Sequence, residues 1–272
     1  MLVCTLGDLT LDVIVRLDGP IAARGDTNAE IRVGPGGQAA NVAAWVATLG
    51  EQARFIGQTG ADDAGDLART RLAAYGVAIR GPIGGRNGTI CSLVSPAGER
   101  TMASDRGAAR ELNVGDLDAE WLACDHLHVS GYALMLEPVR SAALRAVELA
   151  RAAGARVSVD LASWSGIRDS GVEGFRATVR LVAPDVVFAN DEEVDTVGAD
   201  LVEALWIVKH GANGCSFGGV EREARLVSEV LDSTGAGDAL AAGWIVGGPD
   251  LALEAAARCV EQVGAMPITS QA

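Results

Sequence analysis

The run Asp232-Ser233-Thr234-Gly235-Ala236-Gly237-Asp238 joins small residues and a carboxylate to the apolar stretch ALAAGWIV. Small residues at a helix start leave backbone N–H groups open to a ligand. Those groups and the helix dipole attract anions. A carboxylate there opposes anion binding unless it has another task. Asp238 fits the task of taking a proton from a hydroxyl beside the anion. The amides of Gly235, Ala236 and Gly237 would then hold the charge developing on a transferred phosphoryl group. The same residues also read as an ordinary acidic helix start with glycines for packing.

Four further constellations carry chemistry. In Gly34-Pro35-Gly36-Gly37-Gln38-Ala39-Ala40-Asn41, paired glycines before a helix let a ligand approach the backbone. Asn41 can both donate to and accept from a polyol. Gly34, Gly36 and Ala39 also spell a dinucleotide-binding G-x-G-x-x-A, which would make the chain an oxidoreductase. That fingerprint should follow a buried apolar strand, and Ala29–Val33 carries Glu30 and Arg32. Asp12 lies just beyond the first buried strand, where open α/β sheets bind ligands, and its carboxylate can accept two hydroxyls. Asn190 and Glu193 are three apart and share a helix face. They could hold the waters of a Mg2+ ion or simply cap an acidic helix. Lys209-His210-Gly211-Ala212-Asn213-Gly214 follows an apolar strand and reads as a nucleotide-lining loop or a hairpin turn.

Other features exclude. His126 and His128 face one side of a strand with no third ligand nearby, so they read as structural. There is no Walker G-x-x-x-x-G-K-[ST] and no G-x-S-x-G elbow. A net charge of −14 repels phosphate backbones and anionic lipid, which argues against nucleic acid or membrane partners. Any anion site must therefore be built locally. Cysteines 4, 91, 124, 215 and 259 form no C-x-x-C pair and read as reduced thiols. No stretch reaches the roughly 18 apolar residues of a membrane span, and MLVCTLGDL does not read as a signal peptide. The expectation is a cytoplasmic protein.

The elements that must position these groups alternate along the chain. Leu2–Leu6, Ala53–Gly57, His126–Ser130, Arg156–Asp160, Val186–Ala189 and Trp206–Lys209 read as buried strands. Ala39–Leu49, Asp62–Tyr75, Pro138–Ala153, Val172–Leu181, Ala236–Val246 and Leu251–Val263 read as helices. Such alternation predicts an α/β fold: a mostly parallel central sheet with helices on both faces. Leu11–Leu17, Ala29–Val33 and a hairpin of Asn87–Val94 with Glu99–Ala103 read as half-wet strands that meet in a small second sheet.

In this order and at these distances, the motifs resemble the ribokinase-like (PfkB-type) carbohydrate kinases. Gly36-Gly37, Asn41, Gly50 and Gly60 are similar to that family's N-terminal signature, and Asp232–Gly243 to its more specific C-terminal one. The resemblance implies one ribokinase-like three-layer α/β/α domain over 1–272, with a β-sheet lid from about 11–34 and 86–106 that often makes a homodimer contact. It implies ATP and Mg2+, and an acceptor that is a sugar or nucleoside. Asp238 would be the base and Gly235, Ala236 and Gly237 the anion hole. Asp12, Gly36, Gly37, Asn41 and Arg106 would hold substrate. Asn190, Lys209, Gly211, Gly214 and Thr234 would line the nucleotide. Glu193 and Asn190 would organise Mg2+ through water, and Asp232 with Thr234 matches positions that often bind a monovalent cation such as K+. Arg106 points to an anionic sugar, or is a structural arginine returning from the lid. Gln38-Ala39 stands where many members carry Lys-Gly, and the intervals after Glu193 and after Gly243 are short. A non-catalytic sugar- or nucleotide-binding protein on the same fold is the rival reading.

Overall fold

The computed structural model describes residues 1–96 and 100–268. Ala97-Gly98 of the expected hairpin turn, and Glu99, lie outside the described residues. The strands are β1 Leu2–Leu6, β2 Thr10–Leu17, β3 Ala29–Gly36, β4 Gln52–Ile56, β5 Ala78–Arg80, β6 Gly88–Val94, β7 Arg100–Asp105, β8 His126–Ser130, β9 Arg156–Asp160, β10 Val186–Asn190, β11 Leu205–Lys209, β12 Cys215–Phe217 and β13 Val220–Arg222. The α-helices are α1 Gln38–Thr48, α2 Asp63–Ala73, α3 Val139–Ala152, α4 Trp164–Ser170, α5 Val172–Val182, α6 Asp191–Val197, α7 Ala236–Gly247 and α8 Pro249–Val260.

A nine-stranded sheet runs β13-β12-β11-β10-β9-β8-β1-β4-β5. Pairing is parallel from β11 through to β5 and antiparallel only at β12 and β13. Its central strands are buried along most of their length because both faces are covered. Alternate residues then go to opposite layers. Val186 and Phe188 pack with α1, α2, α7 and α8, while Val187 and Ala189 pack with α3, α5 and α6. The chain leaves β1 towards β4 in one direction and continues from β8 towards β11 in the other. The crevice at the carboxyl ends of β1 and β8 is therefore the topological switch point where such sheets bind ligands.

The second sheet has the order β3-β2-β6-β7, with β2 parallel to β6 and its other pairings antiparallel. β3 runs on through Gly34-Pro35-Gly36, past the expected end at Val33. An edge strand tolerates Pro35, whose missing N–H need serve no ladder. The fold thus places Gly34, Gly36 and Ala39 after an exposed antiparallel edge strand. That removes the dinucleotide reading, which needs a buried parallel one.

Candidate active site

The carboxyl ends of the parallel strands deliver most of the site. Asp8 follows β1, Asp160 ends β9, Asn190 ends β10 and Lys209 ends β11. From the opposite layer come the first turns of α1 and α7. Asn41 on α1 donates its amide to Asp238 Oδ2 on α7 at 2.7 Å. The N-terminal and C-terminal signature segments of the sequence, 197 residues apart, therefore meet through one hydrogen bond.

The start of α7 is open. α2, α4 and α6 are capped by the side chains of Asp62, Ser163 and Asn190. No side chain caps α7, although Asp232, Ser233 and Thr234 precede it. Asp232 is engaged elsewhere: its Oδ1 accepts from the Thr234 amide at 2.9 Å, and its Oδ2 from the Gly264 amide at 3.0 Å. Gly235 takes φ 77°, and a Cβ there would stand 2.4 Å from that of Ala265. A Cβ at Gly237 would stand 3.2 Å from Lys209 Nζ.

Charge is concentrated here. Lys209 Nζ and Asp160 Oδ2 are 2.7 Å apart, with the Asp160 side chain only 1% exposed. Burial alone would lower the Lys209 ammonium, but Asp160 and Glu193 hold it above the ordinary lysine value. Burial, reinforced by the negative field of Asp160, pushes the Asp238 carboxyl up to about 8 against the opposing pull of Asn41 and Lys209. Burial also lifts Glu193 to about 6 despite Lys209 nearby. A cleft of about 510 Å³ opens onto Asp160, Asn190, Glu193, Lys209, Gly237 and Asp238, with Gly211 on its wall. Gly214 does not line it; a Cβ there would meet the Arg222 carbonyl at 2.1 Å.

Asn190 and Glu193 form a reciprocal capping box at 2.8 and 2.9 Å, so each gives one oxygen to the start of α6. Among the described residues no three His, Cys, Asp or Glu side chains converge as a direct metal cage.

On the β1 side, Thr10 Oγ1 donates to Asp12 Oδ1 at 2.7 Å, and burial raises the Asp12 carboxyl to about 6. The paired glycines serve the protein's own close approaches. A Cβ at Gly36 would stand 2.1 Å from the Asp12 carboxylate, and one at Gly37 would stand 2.5 Å from the Asp8 carbonyl. Gln38 Oε1 accepts from Ser130 Oγ at the end of β8. Arg106 is bound to Asp8 at 2.5 Å and lies 3.3 Å over the Tyr132 ring, so its charge is matched within the protein. Thr234 and Asp12 line a second cavity of about 500 Å³ beneath the small sheet.

Asp8 and Asp160 carried no assigned role in the sequence reading. Asp160 had a usable signal: an acid at the carboxyl end of a buried strand. His126 and His128 share Ser158 Oγ at 2.7 and 2.9 Å inside the sheet, and burial holds their rings neutral with values of about 3 and 4.

The chain resembles known proteins in sequence and in fold. The chain is 32% identical to an ATP-dependent ribose-1-phosphate kinase of Halopiger xanaduensis, over 94% of this chain and 90% of that one. An adenosine kinase from Sinorhizobium meliloti superposes with a TM-score of 0.85 at 25% identity, covering 98% and 96% of the two chains. An Escherichia coli protein described as a ribokinase II, solved with ATP and Mg2+, superposes at 0.81 with 25% identity over 97% and 94%. The family model for pfkB family carbohydrate kinases matches residues 1–272, and the chain belongs to that family.

Proposed function

We propose that this chain transfers the γ-phosphoryl group of ATP to a primary hydroxyl of a sugar or nucleoside, with Asp238 as the base. The observation that carries the reading is the Asn41–Asp238 hydrogen bond at the mouth of an uncapped helix. Asn41 fixes the Asp238 carboxylate beside open amides, which puts a proton acceptor and an anion hole side by side. The acceptor oxygen bonds to the γ-phosphorus as the bond from that phosphorus to the β,γ-bridging oxygen breaks. The hydroxyl proton goes to Asp238, and ADP leaves. Gly235, Ala236 and Gly237 receive the developing charge, and the Lys209 ammonium beneath Gly237 adds to it. Asn190, Gly211 and Thr234 border the nucleotide and Gly214 shapes its loop. Mg2+ accompanying the triphosphate would supply charge neutralisation, and Glu193 and Asn190 would hold its waters. Asp232 and Thr234 would hold a monovalent cation such as K+.

Two buried acceptors support a polyol. Asp8 Oδ1 and Asn41 Oδ1 have no hydrogen-bond partner among the described residues. An unpaired buried acceptor is costly, and sugar hydroxyls are donors that would relieve it. Asp12 supplies a further carboxylate, Gly36 and Gly37 give that carboxylate and Asp8 their places, and Arg106 steers Asp8. The relatives named for ribose 1-phosphate and adenosine have pentose-based acceptors. Measuring ADP release against a panel of sugars, sugar phosphates and nucleosides tests the reading; ATP consumption that no acceptor stimulates overturns it.

The raised Asp238 carboxyl sets the pH dependence. The base must be ionised, so kcat/KM should climb with pH and level off above about 8. A profile flat between pH 6 and 9 would exclude Asp238 as the titrating base.

The whole chain acts as one kinase domain in this reading, and the small sheet is its lid. By register, Asp12, Ile14 and Arg32 share the inner face, while Val13, Val15, Ile31 and Val33 share the outer one. Ile31 is 60% exposed and Val33 39%. An apolar face of this kind suits a second copy of the chain. Sedimentation should show a dimer that Ile31→Glu reduces to monomer; a monomeric wild type refutes the lid contact. No helix of the described residues is long and apolar enough to cross a membrane, and five free cysteines fit a reducing compartment such as the cytoplasm.

A further inference from the structure

We propose that the acceptor already carries a phosphate group, held by Arg32 and Arg71 beneath the small sheet while its free hydroxyl faces Asp238. The inference rests on the kinase reading and narrows its substrate class. The cavity of about 500 Å³ that runs from Asp12 and Thr234 under the sheet is closed by the segment 263–268 and by the end of α2. Arg32 on β3 and Arg71 on α2 both line it, and among the described residues Asp12 is the only acid that does. Arg32 pairs in register with Ile14, which meets Gly264 across the cavity: a Cβ there would stand 3.5 Å from Ile14 Cδ1. The arginine therefore projects from the inner face.

Neither guanidinium is committed to a strong partner. Arg32 contacts Glu30 at 2.7 Å, with both side chains about half exposed, 53% and 54%. Such a pair contributes little and exchanges readily. Arg71 donates to the Val33 carbonyl, a neutral acceptor that leaves its charge unmatched. Arg106, the other cation near the substrate, is already neutralised by Asp8. In a chain of net charge −14, two arginines from separate elements converging on one cavity make a local positive site. Their planar forks match phosphate oxygens. A neutral sugar has no use for them.

The position limits the phosphate to the far end of the acceptor, and a sugar 1-phosphate is one acceptor of that form. Thr234, which immediately precedes the anion hole, and Asp12 both line the cavity. The bound phosphate therefore lies across the sugar from the hydroxyl that reacts. A 1-phosphate with a free primary hydroxyl at the far end has that form.

The test compares D-ribose 1-phosphate and D-fructose 1-phosphate with ribose, fructose and gluconate, using the full chain and ADP release. The sugar 1-phosphates should show the highest kcat/KM. Arg32→Gln should raise their KM at least ~10-fold, with kcat little changed and the KM for the parent sugars unmoved. Equal efficiency for parent sugars, a preference for gluconate, or an equal KM effect on all acceptors overturns the proposal. Calorimetry with the same compounds needs no turnover. Tight, Arg32-dependent binding of a sugar 1-phosphate without ADP release would refute the kinase reading while upholding the phosphate site itself. Turnover of neutral sugars that Arg32→Gln leaves untouched would do the reverse.

Discussion

Asp238→Asn should lower turnover by at least ~10²-fold while leaving the fold intact. The rate falls because an amide cannot accept the acceptor proton. The fold survives because Asn at 238 can turn its oxygen to the Asn41 amide, replacing the 2.7 Å bond of the wild type. Near wild-type turnover would refute the base assignment. A large loss of stability would move the residue from chemistry to architecture.

The same substitution carries a stability signature that a merely structural residue lacks. Burial and the Asp160 field raise the folded-state Asp238 value from 3.8 to about 8. The folded state therefore holds this proton more tightly than the unfolded state does. In linkage terms, wild-type stability is unaffected by this group below about 4. It declines as pH rises from there to about 8, where the carboxyl is ionised in both states. Asp238→Asn lacks that decline. The variant should match the wild type near pH 4 and exceed it at pH 9, as read by denaturant midpoints. A gain in stability coupled to a loss in rate is expected where a charged group is kept buried for its chemistry.

The parts of this site that were legible in the sequence are local. The run from Asp232 to Asp238 announces an open helix start because small residues and an acid sit within one turn. Asn190 and Glu193 announce a capped helix, and α6 begins with that capping box. The pairing of strands with helices announces the parallel sheet. What sequence could not carry is long-range partnership. Asp160 is one acid among many until the fold sets it against Lys209, 49 residues away. Arg106 reads as a contact to an anionic sugar or as a structural arginine until Asp8, 98 residues away, takes its charge. The missed strands β5, β12 and β13 have three residues each, too short for a period to show. β3 was cut short because Pro and Gly read as breakers, and only its place at a sheet edge makes them tolerable.

Lys209 ties both sides of the site together, and its removal should be the most damaging single change to stability in the cleft. Asp160 is almost wholly buried, and its contact with Lys209 at 2.7 Å faces a neighbourhood that also holds Glu193 and Asp238. Lys209→Met leaves three carboxylates around a space without a cation. Breaking a buried pair from one side typically costs about 3–5 kcal/mol, because the remaining charge has lost its compensation. Arginine is a poor substitute, since its wide planar fork does not fit where a compact ammonium lies against Gly237. Adding Asp160→Asn to Lys209→Met should recover most of the loss, because the double variant removes the uncompensated charge with its partner. Urea unfolding at pH 7 of the wild type, both single variants and the double variant reads this directly. A cost below about 1 kcal/mol for Lys209→Met, or a double variant no better than the single one, would mean that the pair is solvated in solution. Turnover should not follow the recovery. The double variant regains its fold but still lacks the positive charge beside Gly237, so stability and rate should separate there, as is expected at Asp238.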